Sequence, residues 1–231
     1  MKRFYKTAAI QREGEGHAVT LDGKPVKTPM RKSLALPNAK LADAVAGEWA
    51  AQGETIEPPS MPLTSIANTA IDRIAAARED MVAGLLRYAE TDLLCYRAEG
   101  PADLVARQTA IWQAILDWAA VGLGATLATT VGIIPIAQPE DALAKLRNVL
   151  RVYDDFRLAA LSTAVSATGS LILGLALAEG RLTAAEAFAA AQLDETYQNE
   201  FWGEDEETVQ RRAARRADIE AAAQVFGLLS S

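Results

Sequence analysis

The hexapeptide Glu57-Pro58-Pro59-Ser60-Met61-Pro62 separates two stretches of sequence that obey different hydrophobic periods. Three prolines in five residues fix φ, remove backbone donors and push their predecessors toward extended conformations, so an extended linker is expected here. We place a domain boundary at this point, with a small β-rich domain containing one helix at residues 1–60 and a helical domain at residues 61–231. The expected fold class is α+β, a small β-rich N-terminal domain followed by a larger all-helical C-terminal domain.

On the N-terminal side the pattern is that of strands. Residues 4–10, 17–21 and 24–28 read as extended runs, and Leu34-Ala35-Leu36 adds a short one. The pair Asp22-Gly23 between two such runs predicts a two-residue hairpin turn, because both positions must accept positive φ. Glu13-Gly14-Glu15-Gly16 supplies another turn. Asn38 is placed to cap a helix over residues 39–52, with Leu41, Val45 and Trp49 on one stripe.

On the C-terminal side the period is helical. Thr64 or Ser65 can cap a helix to about residue 78 that buries Ile66, Ala70 and Ile74. Further helices are expected over 79–90, 102–121, 140–153, 156–179, 184–201 and 204–226. Leu104, Ile111, Ile115 and Trp118 share the inner face of the second of these. Gly180 and Thr183 supply a stop and a cap. Residues 125–137, rich in β-branched side chains, are expected to be extended.

Two uncharged runs, residues 118–139 and 158–178, are long enough to cross a bilayer. The first is broken by Gly122, Gly124, Gly132 and Pro135, and the second is studded with Ser and Thr. The residues between them balance positive and negative charge. Buried core segments are therefore expected, without stable membrane insertion.

Charge narrows the function. The net charge of −7 argues against nucleic acid as a ligand, since phosphate binding needs a basic surface. Its distribution is uneven: residues 1–40 hold nine Lys/Arg against three acids, an excess of +6, leaving −13 for the remainder. The N-terminal charge of Lys2, Arg3 and Lys6 is followed by no apolar run of a secretory signal. A single cysteine, Cys95, permits no internal disulfide. A bacterial cytoplasmic monomer is expected.

Catalytic constellations are missing from the sequence. The one histidine, His17, reads as a surface strand residue with no nucleophile beside it. Cys95 lies among apolar neighbours and is expected to be buried and inert. One His and one Cys are too few for a zinc site. Gly122-Leu123-Gly124 lacks the third glycine of a dinucleotide fingerprint and follows a helix. We expect no catalytic residue, no metal and no cofactor.

The run Phe201-Trp202-Gly203-Glu204-Asp205-Glu206-Glu207 stands apart. Gly203 can break the chain, and acids in the first turn of the next helix meet the favourable end of its dipole. Glu207 can also pair with Arg211 at i, i+4. Alternatively, an acidic patch beside exposed aromatics suits protein binding, with rings as anchors and charge for steering. Both readings stand on the residues alone.

Motifs along most of the chain resemble one family. They are Arg3-Phe4-Tyr5-Lys6, Leu21-Asp22-Gly23-Lys24-Pro25-Val26-Lys27-Thr28-Pro29, Glu48-Trp49-Ala50-Ala51-Gln52, Met61-Pro62-Leu63-Thr64 with Asn68-Thr69-Ala70-Ile71-Asp72, Thr91-Asp92-Leu93-Leu94-Cys95-Tyr96-Arg97, Thr130-Val131-Gly132-Ile133-Ile134-Pro135 and Trp202-Gly203-Glu204. Their order and spacing resemble the ATP-twelve family of ATP synthase F-one assembly chaperones. That resemblance implies a non-enzymatic protein that binds the free F-one α subunit and shields its interface before assembly with β, with eukaryotic relatives in the mitochondrial matrix. It implies a partner-binding site at Trp202, Gly203, Glu204, Asp205 and Glu206, the acids after the Trp-Gly pair being functionally important in the family. Asp205 stands where the family often has an apolar residue, and Thr208-Val209-Gln210 where it often has a histidine. The competing classes are a small-ligand-binding protein or enzyme with a pocket between the two domains, and a membrane-associated factor using residues 158–178.

Overall fold

The structure, a computed structural model, describes residues 1–230. The fold is α+β, with the strands near the N-terminus and helices dominating the rest. The chain separates into two compact units, the first made of Met1–Arg78, Asp154–Ala160 and the chain from Gln224 on, the second of Glu79–Tyr153 and Leu161–Ala223.

In the first unit β1 (Ala8–Glu13), β2 (Gly16–Leu21), β3 (Lys24–Pro25) and β4 (Ala35–Leu36) form an antiparallel sheet with β2 at its centre. The first pairing runs from Ala8 opposite Leu21 to Glu13 opposite Gly16. Asp22 and Gly23 form the expected two-residue turn, at φ +48° and +79°, which closes Leu21 onto Lys24. Gly16 is fixed by space, since a Cβ there would lie 2.7 Å from the Leu36 carbonyl oxygen. The first strand starts later than residue 4, because Arg3, Phe4 and Tyr5 are held by other contacts.

Helix α1 (Ala39–Ala50) lies against β1, β2 and β4 and buries Leu41, Ala42, Val45 and Ala46, while Val19, Leu34 and Leu36 are also buried. Asn38 caps it as expected, accepting from Leu41 N at 2.8 Å while its amide donates to the Leu228 carbonyl at 2.9 Å. The proline segment is no extended linker. Pro58–Ser60 is a 3-10 turn, and Pro62 opens α2 (Pro62–Thr69), the first helical turn being where proline loses nothing. Nor does Thr64 or Ser65 cap that helix. The Glu48 carboxylate, from α1, accepts from Leu63 N, Thr64 N and Thr64 Oγ1 at 2.7–2.8 Å. The chain continues through a π turn at Ala70–Ile74, and Ile66, Ala70 and Ile74 are buried as the period requires.

Helix α3 (Arg78–Glu90) carries the chain into the second unit from Glu79 on, followed by a 3-10 turn at Leu93–Cys95 and the short strand β5 (Tyr96–Arg97). Strand β5 pairs in parallel with β6 (Thr130–Val131). Between them α4 (Ala102–Gln108) passes through a π turn at Thr109–Gln113 into α5 (Ala114–Gly122). The extra residue per turn rotates the helix face. Trp112 is thereby fully buried, donating to the Ala190 carbonyl at 2.9 Å, while Ile111, expected inside, is exposed. Residues 118–139 are not core as a whole. Val121, Val131, Ile133 and Ile134 face outward, and Gly124 and Gly132 both have positive φ.

Helices α6 (Glu140–Val152), α7 (Asp155–Thr168) and α8 (Leu171–Ala178) follow. The single helix expected at 156–179 is broken at Gly169, φ +71°, and Ser170 caps the new start by accepting from Leu173 N at 2.9 Å. Every residue of α8 is buried, which accounts for its apolar run without a bilayer. Among the described residues no helix is long and apolar enough to cross a membrane. Thr183 opens α9 (Ala184–Ala191) in a complete capping box with Glu186. Helix α10 (Leu193–Trp202) restarts after Gln192, and α11 (Glu206–Leu229) runs through Gly227 instead of ending there.

Candidate partner-binding site

Helix α10 ends because Gly203 takes φ +77°, its N–H donating to the Asn199 carbonyl at 3.0 Å. That stop leaves the last two aromatics beyond the packed part of the helix. Phe201 leans on Tyr197 with ring centroids 5.2 Å apart, yet 66% of it is exposed. Trp202 has no such neighbour and is 87% exposed. The two rings are adjacent, so they form one contiguous exposed apolar patch.

The acids that follow divide by role. Asp205 is the N-cap of α11: its Oδ1 accepts from Thr208 N at 2.7 Å, and that bond holds its carboxyl below the usual range. Glu204 accepts from Asn199 Nδ2 at 2.6 Å and pairs with Arg212 Nε at 3.2 Å. Glu206 is exposed and meets only the amide of Gln210, at 3.4 Å. Glu206 and Glu207 occupy the first turn of α11, where the helix dipole favours them. The helix-start reading therefore applies to Asp205 as cap and to Glu206 and Glu207 in the first turn, both of which also face solvent, while Glu204 is turned back onto Asn199 and Arg212.

Arg211 feels the charge of Glu207, as expected, but its direct ion pair is a link between helices. Glu195 of α10 holds Arg211 at 3.0 Å and Arg215 at 3.6 Å. Arg212 and Arg216 lie over the Phe188 ring, at 5.6 and 4.6 Å from its centroid. A shallow pocket of about 280 Å³ is lined by Phe188, Glu204, Val209, Arg212, Ala213 and Arg216. These neighbours of the acidic run were not singled out from sequence. The arginine pairs 211–212 and 215–216, one turn apart on α11, were the available signal.

Elsewhere the chemistry-bearing side chains are structural. His17 lies half-buried on β2, with Nδ1 enclosed and without a partner. Cys95 is buried, and burial pushes its thiol up to about 12, so it is an unreactive group as expected. No group of three His, Cys, Asp or Glu among the described residues could hold a metal ion.

The whole fold recurs in solved proteins. Atp12 from Paracoccus denitrificans superposes with a TM-score of 0.92 at 43% identity, covering 98% of this chain and 97% of its own. An aspartate-to-lysine mutant of P. denitrificans Atp12p gives 0.92 at 42% over the same shares. The Atu1473 protein of Agrobacterium tumefaciens gives 0.94 at 47%, covering 99% of this chain and 86% of its own. Protein atp12, mitochondrial, of Schizosaccharomyces pombe is 28% identical over 214 residues, which is 87% of this chain and 74% of that protein. Fold and relatives together define a chaperone. The family model described as ATP12 chaperone protein matches residues 2–120, and the chain belongs to that family.

Proposed function

We propose that this protein assists assembly of the F-one sector of ATP synthase by binding the free α subunit and shielding its interface until β arrives, acting in the bacterial cytoplasm by binding alone. Trp202, Gly203, Glu204, Asp205 and Glu206 form the gripping face. The observation that carries this reading is the pair of open rings, Phe201 and Trp202, set beside the exposed carboxylates of Glu206 and Glu207. Apolar anchors surrounded by steering charge are what a transient grip on another polypeptide requires. Membership of a chaperone family supports the same reading.

The test is capture of purified α subunit by immobilised full-length protein. Trp202→Ala is expected to weaken capture by roughly 30-fold, the usual loss for an aromatic anchor. Glu206→Lys should weaken it several-fold, an effect that added salt erases. Neither change should move the melting temperature, because both side chains are exposed. Retention of β, or of neither subunit, by the unmodified protein would sink the proposal.

A further inference from the structure

The first unit carries a groove of about 380 Å³ whose apolar lining includes Phe4, Tyr5, Leu21, Pro25, Val26 and Trp49. Tyr5 and Leu21 belong to a small core cluster against which Val26 and Trp49 pack, so the groove opens from a formed core. The rings of Phe4, Tyr5 and Trp49 meet edge to face at 5.4 and 5.9 Å, and the Tyr5 hydroxyl donates to the Trp49 carbonyl at 2.6 Å. Phe4 remains 65% exposed despite that packing. The indole Nε1 of Trp49 is buried and has no acceptor, an arrangement that costs stability.

Charge identifies what could lie there. Lys24 and Lys27 line the groove and are exposed. Asp22 is the one acid in the lining, and it already accepts from Lys6 N, Thr7 N and Thr7 Oγ1 at 2.9–3.2 Å. With Lys24 and Lys27 against Asp22 the rim is positive on balance, within residues 1–40, which hold nine Lys/Arg against three acids.

We propose that this groove is a second site for client polypeptide, taking an extended segment in which a bulky apolar side chain is followed by carboxylates. The apolar group packs among Phe4, Val26 and Trp49, and the carboxylates meet Lys24 and Lys27. Aromatic walls supply the affinity and the lysines supply the direction of binding. This site stands independently of the face at residues 201–206 and of which subunit is the client.

The experiment follows the Trp49 indole resonance in full-length ¹⁵N-labelled protein during titration with N-acetyl Leu-Phe-Gly-Asp-Glu-Glu, with N-acetyl Leu-Phe-Gly-Lys-Lys-Lys as control. The acidic peptide is expected to move that resonance, and the basic one to bind at least about tenfold more weakly. Lys24→Glu combined with Lys27→Glu should weaken the acidic peptide by about tenfold. Phe4→Ala should weaken it by about fivefold. All three side chains are exposed, so melting should be unaltered and weaker binding cannot be put down to unfolding. An unmoved resonance at millimolar peptide, equal binding of both peptides, or unchanged binding by the lysine variant would overturn the proposal. So would movement with protein concentration alone, which would make a second copy the occupant. Loss of α-subunit capture with this titration intact would count against the proposed function only.

Discussion

Asp92 and Asp205 do the same local job in opposite surroundings. Asp205 accepts the Thr208 N–H at the start of α11 in full contact with water. Asp92 is wholly buried, where it accepts from Leu94 N at 3.1 Å, Ser170 Oγ at 2.7 Å and Ile172 N at 3.1 Å. It thus ties the 3-10 turn at Leu93–Cys95 to the start of α8, the most enclosed helix of the second unit. Burial raises its carboxyl to about 6 against the opposing pull of those hydrogen bonds, whereas the hydrogen bonds from Thr208 hold Asp205 below the ordinary range. A carboxylate in this protein is architecture or surface according to what surrounds it, and the residue type alone does not say which.

That contrast breaks most visibly at the buried end. Asp92→Ala strands two backbone donors and the Ser170 hydroxyl in a dry core and leaves a small cavity. It should cost roughly 3–5 kcal/mol, read as a lower denaturation midpoint at constant slope. Loss of less than about 1 kcal/mol would mean that water or a rearranged Ser170 takes over the bonds.

Much of this was legible before the structure, and what was not has physical causes. The Asp22-Gly23 turn, the Asn38 and Thr183 caps and the burial of Ile66, Ala70 and Ile74 follow from local rules that need only a few neighbouring residues. The break at Gly169 was missed because the apolar run continues across it on both sides. The π turn at Thr109–Gln113 was missed because one inserted residue per turn is set by where Trp112 can reach a buried acceptor, a tertiary matter. Several motif residues turned out to be ties between segments distant in sequence. Glu48 caps α2, and Asp72 accepts from Thr28 Oγ1 at 2.7 Å and from Met30 N at 3.0 Å. At residues 201–207 the aromatic and acidic chemistry was readable, but the diversion of Glu204 onto Arg212 and of Arg211 onto Glu195 depended on how α10 and α11 pack.

A gentler probe is pH. A carboxyl whose folded pKa lies above its unfolded value binds its proton more tightly in the native state. Its contribution is fully present below the unfolded pKa, near 4, and is lost as pH rises through about 6. Asp92 therefore stabilises the native state more at pH 5 than at pH 7, by about 1 kcal/mol. Asp92→Asn keeps the shape and removes the titration. The stability difference between unmodified protein and this variant should shift by that amount toward the unmodified protein on going from pH 7 to pH 5. A difference independent of pH would show that the buried carboxyl holds one protonation state throughout.

The smallest effect belongs to the exposed member of the pair, and it separates architecture from binding at the candidate face. Asp205→Ala removes the cap of α11 and should lower the melting temperature by about 3 °C. The sign with pH is opposite to that of Asp92. A depressed folded pKa gives stability that is present above the unfolded value, near 4, and is lost as pH falls below it. Melting curves of the variant and the unmodified protein should therefore converge in acid. If Asp205 acts on a client only by setting the start of α11, Asp205→Asn, which can still accept the Thr208 N–H, should restore both melting and α-subunit capture. Restored melting with capture still weakened would instead assign the Asp205 charge to the contact itself, alongside Glu206.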